Sequence, residues 1–274
     1  MDGMTLVLGA NGKTGRRVAA RLQERGAAVR AGSRAGRPPF DWYDPGTWGA
    51  ALEGVDAAYV SFFPDLAVPG APEIVGAFAR QAAQAGVGRL VLLSGRGEEE
   101  AQRAERELAA AGVPWTVVRA SWFSQNFSEG FLRDAVLSGE VALPVEGMVE
   151  PFVDVEDIAD VAVAALTGDG HAGRVYEVTG PRAITFAEAV AEIGRASGRE
   201  VRFTSVTLDA FTAALAGMGE PPAAVALVAF LFTEVLDGRN ARPAGGVRDA
   251  LGREAGDFAA YAARAAAAGA WSLP

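Results

Sequence analysis

The chain has 274 residues, half of them apolar, enough to bury the core of one large α/β domain or one domain with a small cap. Lys and Arg number 25 against 34 Asp and Glu, and the net charge of −9 argues against the broad positive surface that nucleic-acid binding uses. Cysteine is absent, which excludes disulfides, thiolate metal sites and cysteine nucleophiles together and fits a reducing cytoplasm.

Near the N-terminus, Thr5-Leu6-Val7-Leu8 predicts a strand, and residues 16–25 a helix with Val18, Ala19 and Leu22 on one face. Between them runs Gly9-Ala10-Asn11-Gly12-Lys13-Thr14-Gly15. The first turn of a helix offers unpaired N–H groups and partial positive charge, and glycines let a phosphate approach the backbone. This order therefore reads as the pyrophosphate cradle of a dinucleotide site. The spacing G-x-x-G-x-x-G by itself equally describes an ordinary tight βα turn; strand, turn and helix in succession favour the cradle. A P-loop is set aside because its first glycine would fall on Val7, inside the strand.

Glycines 26, 54, 86 and 112 each close a predicted helix, and apolar strands follow at 29–32, 57–62, 89–93 and 115–119. A further short strand is predicted at 40–42. The alternation gives the fold class: α/β, a Rossmann-type doubly wound parallel sheet with a small, mostly helical C-terminal substrate cap. The core is placed at 1–127, and 128–274 hold the remaining core elements interleaved with the cap. Ligands of such sheets lie outside the carboxyl ends of the strands, here loops 9–15, 33–37, 41–44, 61–65, 94–97 and 120–127.

The second strand ends on Ser33-Arg34, where an NAD-selective site places a carboxylate. A guanidinium there suits a 2′-phosphate, so NADPH (NADP) is expected over NADH, with Lys13 and Arg37 adding charge; the alternative is a solvated surface arginine. Asp41 and Trp42 are expected to border the adenine, and Ser61, Phe62 and Phe63 to line the same edge.

The Tyr-x-x-x-Lys pair of short-chain dehydrogenases is missing, because the single lysine is Lys13. No Gly-x-Ser-x-Gly surrounds Ser94, and no His/Cys cluster offers a metal site. The sole histidine, His171, lies in a glycine-rich loop and reads as solvated. What remains at the sheet edge is Ser94, also a cofactor ribose contact, with Arg96, Gln125 and Asn126 as catalytic or orienting groups. Trp122, Phe123 and Phe127 form an apolar pocket. The competing readings are a capping or turn serine for Ser94 and plain core for the three aromatics.

The βα rhythm then loosens. A helix is expected at 128–137, a strand at 140–143, and a helix after Asp154, which with Asp157 forms a carboxylate version of the capping box or supplies catalytic carboxylates. A last strand follows at 175–179, then a helix opened by Thr185 with Glu188 as box partner. Residues from about 200 onward predict a helical cap over the nicotinamide end, with Thr233, Glu234 and Arg239 on its inner face. The apolar stretch 223–232 is too short for a bilayer and reads as a buried helix. No signal peptide is evident, so the expected location is cytoplasmic.

Leu6-Val7-Leu8-Gly9-Ala10-Asn11-Gly12-Lys13-Thr14-Gly15, Leu92-Leu93-Ser94-Gly95, Trp115-Thr116-Val117-Val118-Arg119, Trp122-Phe123-Ser124-Gln125-Asn126-Phe127 and Pro151-Phe152-Val153-Asp154 resemble the NmrA-like branch of the atypical short-chain dehydrogenases. Within it the chain is most similar to ergot-alkaloid reductases of the agroclavine and festuclavine dehydrogenase type and to quinone and azo-dye reductases. The resemblance implies NAD(P)H at Gly9–Gly15 and Arg34, and hydride delivery to a flat conjugated, quinone or imine/iminium substrate that needs little acid catalysis. The expected protein is thus an NADPH-dependent oxidoreductase, monomer or homodimer, with an aromatic or conjugated small-molecule substrate and no nucleic-acid, membrane or metal partner. Two alternatives stand: a dinucleotide-sensing regulator without turnover acting through a protein partner, and a cofactor-bound scaffold for a non-redox cyclisation in secondary metabolism.

Overall fold

The computed structural model describes residues 3–130 and 132–272. In chain order the first elements are β1 (Met4–Leu8), α1 (Lys13–Glu24), β2 (Ala28–Gly32), α2 (Trp48–Leu52), β3 (Val55–Val60), α3 (Ala71–Gln84), β4 (Arg89–Gly95), α4 (Glu99–Ala109) and β5 (Trp115–Ala120). There follow α5 (Asn126–Glu129), α6 (Leu132–Ser138), β6 (Glu140–Leu143), β7 (Val149–Glu150), α7 (Val155–Thr167), β8 (Arg174–Val178), β9 (Ile184–Thr185) and α8 (Phe186–Ser197). The last are β10 (Arg202–Ser205), α9 (Leu208–Gly217), α10 (Pro222–Phe230), α11 (Gly246–Leu251) and α12 (Phe258–Ala267).

They form two compact units. The first comprises Met1–Ala120, Val155–Val178 and Gly245–Glu254. Its six-stranded parallel sheet has the order β2-β1-β3-β4-β5-β8. The order reverses beside β1, as expected for a doubly wound sheet. Its central strands are apolar on both faces because helices cover both, whereas β2 at the edge is more exposed. The helix-closing glycines 26, 54, 86 and 112 all have positive φ, as a left-handed residue past a helix end requires. Arg17 and Arg21 of α1 bind Glu156, and Arg21 also binds Asp160, tying α1 to α7.

Residues 40–42 are not a strand. They make only an isolated bridge between Asp41 and Asp44. The Asp41 carboxylate instead accepts from the Tyr43 amide, and the Asp41 carbonyl accepts from the Trp48 indole. Phe40, Trp42, Trp48, Phe62 and Phe78 pack there as one aromatic cluster. Aromatic burial, not ladder pairing, holds this segment.

The second unit comprises Ser121–Asp154, Thr179–Ala244 and Ala255–Pro274. It is mostly helical, with a parallel pair β10–β6 and an antiparallel pair β7–β9. Phe127, Phe152, Phe186 and Phe258 centre its core. The helix predicted at 128–137 is two short helices, α5 and α6, separated at Gly130, whose backbone is extended; residue 131 lies outside the described residues. The stretch predicted as a buried helix, 223–232, spans most of α10 and the start of the π-helical turn Leu231–Val235; no residue of α10 is buried, and of the stretch only Phe232 is. Hydropathy alone misread it, because an apolar stretch carries no period that says which face is covered. Among the described residues no helix is long and apolar enough to cross a membrane.

The capping box of α8 is present as the sequence predicts. Thr185 Oγ1 accepts from the Glu188 amide at 3.1 Å, and the Glu188 carboxylate accepts from the Thr185 amide at 2.7 Å. Thr185→Ala removes both the hydroxyl acceptor and the geometry of the box, and is expected to lower stability by about 1 kcal/mol in urea unfolding. A change below a few tenths would mean that water serves these amides as well.

Candidate functional site

The turn after β1 is tighter than the sequence suggested. α1 begins at Lys13, so Lys13, Thr14 and Gly15 form its first turn. Gly9 has φ +68°, and the Gly12 amide donates to its carbonyl at 2.8 Å. A Cβ on Gly15 would fall 2.1 Å from the Gly9 carbonyl oxygen, so only glycine lets the helix start this close to the strand. No side chain caps α1, its first turn holds no acidic residue, and Asn11 and Gly12 are exposed. An open, acid-free helix N-terminus reached through glycines fits a diphosphate.

Around this turn Ser61 approaches Gly9, since a Cβ there would lie 3.3 Å from the Ser61 side chain. The Ser61 carbonyl accepts from the Trp42 indole at 3.2 Å. Trp42 and Phe62 are buried in the aromatic core, while Phe63 and Tyr43 are exposed. Beneath the turn the Tyr59 hydroxyl is buried near Thr14 without meeting hydrogen-bond geometry, and burial pushes its pKa up. Sequence reasoning passed over Tyr59, a single hydroxyl in an apolar strand. At the end of β2, Ser33 closes a loop by accepting from the Gly36 and Phe40 amides, both at 2.9 Å. Arg34 and Arg37 are exposed, and neither makes an ion pair among the described residues.

Ser94 and Arg96 belong to one continuous polar network. Strand register sets Ser94 opposite Arg119, and Arg119 opposite Glu177. The buried Ser94 hydroxyl donates to Glu105 at 2.6 Å. Arg119 donates twice to Glu105, at 2.9 and 2.5 Å, and once to Glu177 at 2.9 Å. Arg96 donates to the other Glu177 oxygen at 3.1 Å. Bonding to Glu105 raises the Arg119 pKa further. Ser94 is therefore neither a cap nor a turn serine. Glu105, Arg119 and Glu177 were missed; an arginine closing the apolar run 115–118 was the available signal, because a charge there needs a partner.

Beside this network stands Glu98, the residue before α4. Its carboxyl makes no capping bond to the helix and receives no hydrogen bond from any described residue. Burial, then the neighbouring carboxylates of Asp65 and Glu105, hold its pKa well above the ordinary glutamate range.

In the second unit, Gln125 is buried and donates to Asp154 at 2.7 Å, and Asp154 also binds Arg264. Asp154 and Asp157 are thus ion-paired carboxylates, Asp157 accepting from Arg253 at 2.7 Å in the first unit. Trp122 packs on Phe186 and Phe232 and is partly exposed, as are Phe123 and Asn126. Phe127 is fully buried in the core. His171 is held by Tyr176, with its Nδ1 2.8 Å from the hydroxyl, and is not a freely solvated loop residue. Burial, followed by the charge of Arg89, lowers its pKa. Among the described residues no group of three or more His, Asp or Glu could hold a metal ion.

No family model matches the chain. It is 36% identical over 253 residues to a (4-alkanoyl-5-oxo-2,5-dihydrofuran-3-yl)methyl phosphate reductase of Streptomyces griseus, covering 82% of this chain and 85% of that one. It is 33% identical over 290 residues to an NAD(P)H azoreductase of Xenophilus azovorans, covering 97% of this chain and all of the relative. Its fold matches the NADPH complex of an NADPH-dependent quinone oxidoreductase from Escherichia coli with a TM-score of 0.80 at 21% identity, over 95% of this chain and 99% of that one. With the glycine turn, the sheet order and this extent of likeness, the chain belongs to the family of NAD(P)H-binding oxidoreductases that includes these reductases.

Proposed function

We propose that the protein is an NADPH-dependent reductase that delivers hydride to a small conjugated, quinone or imine acceptor without a Tyr-x-x-x-Lys pair. One observation carries this reading. The helix N-terminus behind the glycine turn is uncapped and acid-free, and Arg34 stands unpaired where an NAD-selective site carries a carboxylate. Gly9, Asn11, Gly12, Lys13, Thr14 and Gly15 would hold the diphosphate, Ser33 and Arg34 the 2′-phosphate, and Asp41, Ser61 and Phe63 the adenosine. Trp42 and Phe62 support that rim from the core. The bound cofactor supplies the hydride. Ser94, held by Glu105, and Arg96, held by Glu177, would order the reacting end, and Trp122, Phe123, Gln125 and Asn126 recognise the acceptor. The relatives are named for a dihydrofuranone and for azo compounds, both conjugated acceptors, which supports that substrate class.

Calorimetry with NADPH and NADH tests the cofactor. Arg34→Ala is expected to weaken NADPH binding about 10- to 100-fold, the loss of a charge-assisted hydrogen bond, and to leave NADH binding unchanged. Equal effects on both would remove the 2′-phosphate assignment. Turnover is tested by NADPH oxidation with quinones, enals and cyclic imines. Because Ser94 and Arg96 are both engaged by carboxylates, a dinucleotide-sensing regulator is the second reading. Tight NADPH binding with no oxidation across the panel would assign it.

A further inference from the structure

We propose that Glu98 is the proton donor of this reductase, protonating the oxygen of a conjugated carbonyl or quinone acceptor as hydride reaches its carbon. The inference rests on the reductase reading above and adds to it a group that the substrate class alone does not require.

The geometry begins at Gly95, the last residue of β4. A Cβ built there would lie 2.1 Å from the Glu98 carboxyl carbon and 2.1 and 2.2 Å from its two oxygens. The bare backbone of Gly95 thus lets the Glu98 carboxyl fold back over the carboxyl end of β4, next to Ser94. Glu98 occupies the position that caps α4, yet its side chain makes no capping bond. It has turned from the helix toward the strand end, where ligands of parallel sheets lie.

Its charged neighbours explain the state of the proton. Two carboxylates face it, Asp65 from the loop after β3 and Glu105 from α4. Burial raises the pKa of Asp65 too, but the Ala67 amide donates to its carboxylate at 2.8 Å and offsets part of that. Glu105 is served by Ser94 and by two donors of Arg119. Glu98 alone of the three receives no hydrogen bond from a described residue. When like charges share a partly buried site, the proton goes to the group whose anion is least stabilised. A neutral carboxylic acid is a donor, which a carboxylate is not.

The step balances as follows. The acceptor's electrophilic carbon gains a C–H bond with the two electrons of a hydride from a reduced nicotinamide. The C=C π pair becomes a double bond to the carbonyl carbon, and the C=O π pair moves onto the oxygen. That oxygen forms an O–H bond with the Glu98 proton, and the broken O–H pair stays on the Glu98 carboxylate. The product is an enol, or from a quinone the hydroxydienone tautomer, which becomes the hydroquinone when water removes the new ring C–H proton and protonates the second oxygen; Glu98 is reprotonated from water.

Infrared difference spectra of the full-length protein without cofactor, wild type against Glu98→Gln, read the proton directly. A protonated-carboxyl C=O band at neutral pH that the variant loses is the expected result. No such band, meaning an ionised Glu98, overturns the proposal whatever the enzyme turns over. Thermal unfolding gives a second readout. A raised folded-state pKa favours the folded state fully below the unfolded glutamate value, and that advantage is lost as pH rises through the folded value. Glu98→Gln should therefore match wild type in acid and melt higher at neutral and alkaline pH. The exposed Glu99→Gln should show neither effect. With NADPH and a quinone or enal, Glu98→Gln should lower kcat about 100-fold without weakening NADPH binding, and a permanently cationic acceptor should be reduced at the wild-type rate. An unchanged kcat on neutral acceptors refutes the donor role. Absence of NADPH binding by wild type would instead remove the reductase reading and leave the infrared result standing.

Discussion

Glu105→Ala is expected to destabilise the protein by about 3–5 kcal/mol, the range for removing one partner from a buried ion pair. The Glu105 side chain is 8% exposed and accepts three hydrogen bonds, from Ser94 at 2.6 Å and from Arg119 at 2.9 and 2.5 Å. Its loss leaves a buried hydroxyl with no acceptor and two guanidinium donors facing a cavity. Glu177 still holds the third donor, but a single bond does not compensate a half-buried charge. Glu105→Gln keeps an oxygen acceptor and should cost less than half as much. Glu107→Ala on the same helix, where the pairing to Arg80 is exposed and 3.5 Å long, should stay within about 0.5 kcal/mol. Urea unfolding followed by circular dichroism decides it. A Glu105→Ala loss under 1 kcal/mol would mean that water reaches Arg119, and that the network does not rigidify Ser94 and Arg96.

The contrast between that network and the glycine turn explains what the sequence could disclose. The turn is local: strand, glycines and helix are contiguous, so residue type and order carried its geometry. The sheet was legible for the same reason, since βα units repeat a helix-closing glycine followed by an apolar strand. The α8 box, from Thr185 to Glu188, spans one helical turn and was readable too. Ser94, Glu105, Arg119 and Glu177 are joined by strand register and by a helix packed on the sheet, and register is not written in any one segment. Residues 40–42 misled because β-forming aromatics serve core burial as well as pairing. Arg34 and Arg96 looked alike in sequence; one is unpaired and exposed, the other held by Glu177. Only the three-dimensional arrangement separates an unpaired guanidinium from one already engaged.

The second large effect belongs to Gly15. Gly15→Ala is expected to weaken NADPH binding at least tenfold and to cost about 1–3 kcal/mol of stability, the usual range for overpacking. The added Cβ would lie 2.1 Å from the Gly9 carbonyl oxygen, 2.6 Å from the Gly9 carbonyl carbon and 3.0 Å from the Ala10 nitrogen. All three are main-chain atoms, so no rotamer change relieves the clash; α1 must shift away from β1 or the turn must reform. Either movement takes the helix N-terminus off the line along which it would meet the proposed diphosphate, and charge-assisted hydrogen bonds would be lost with it. Gly12→Ala is a milder case, with 3.2 Å to the same oxygen and φ −80°, and should keep most of the affinity. Gly246→Ala separates packing from binding. Its Cβ would lie 2.2 Å from the Glu177 carbonyl oxygen, a comparable main-chain clash at the start of α11. It should lose similar stability and leave NADPH affinity as in wild type. If calorimetry found Gly15→Ala binding NADPH as tightly as wild type while melting lower, the glycines would be serving helix–strand packing alone, and the phosphates would have to be held elsewhere.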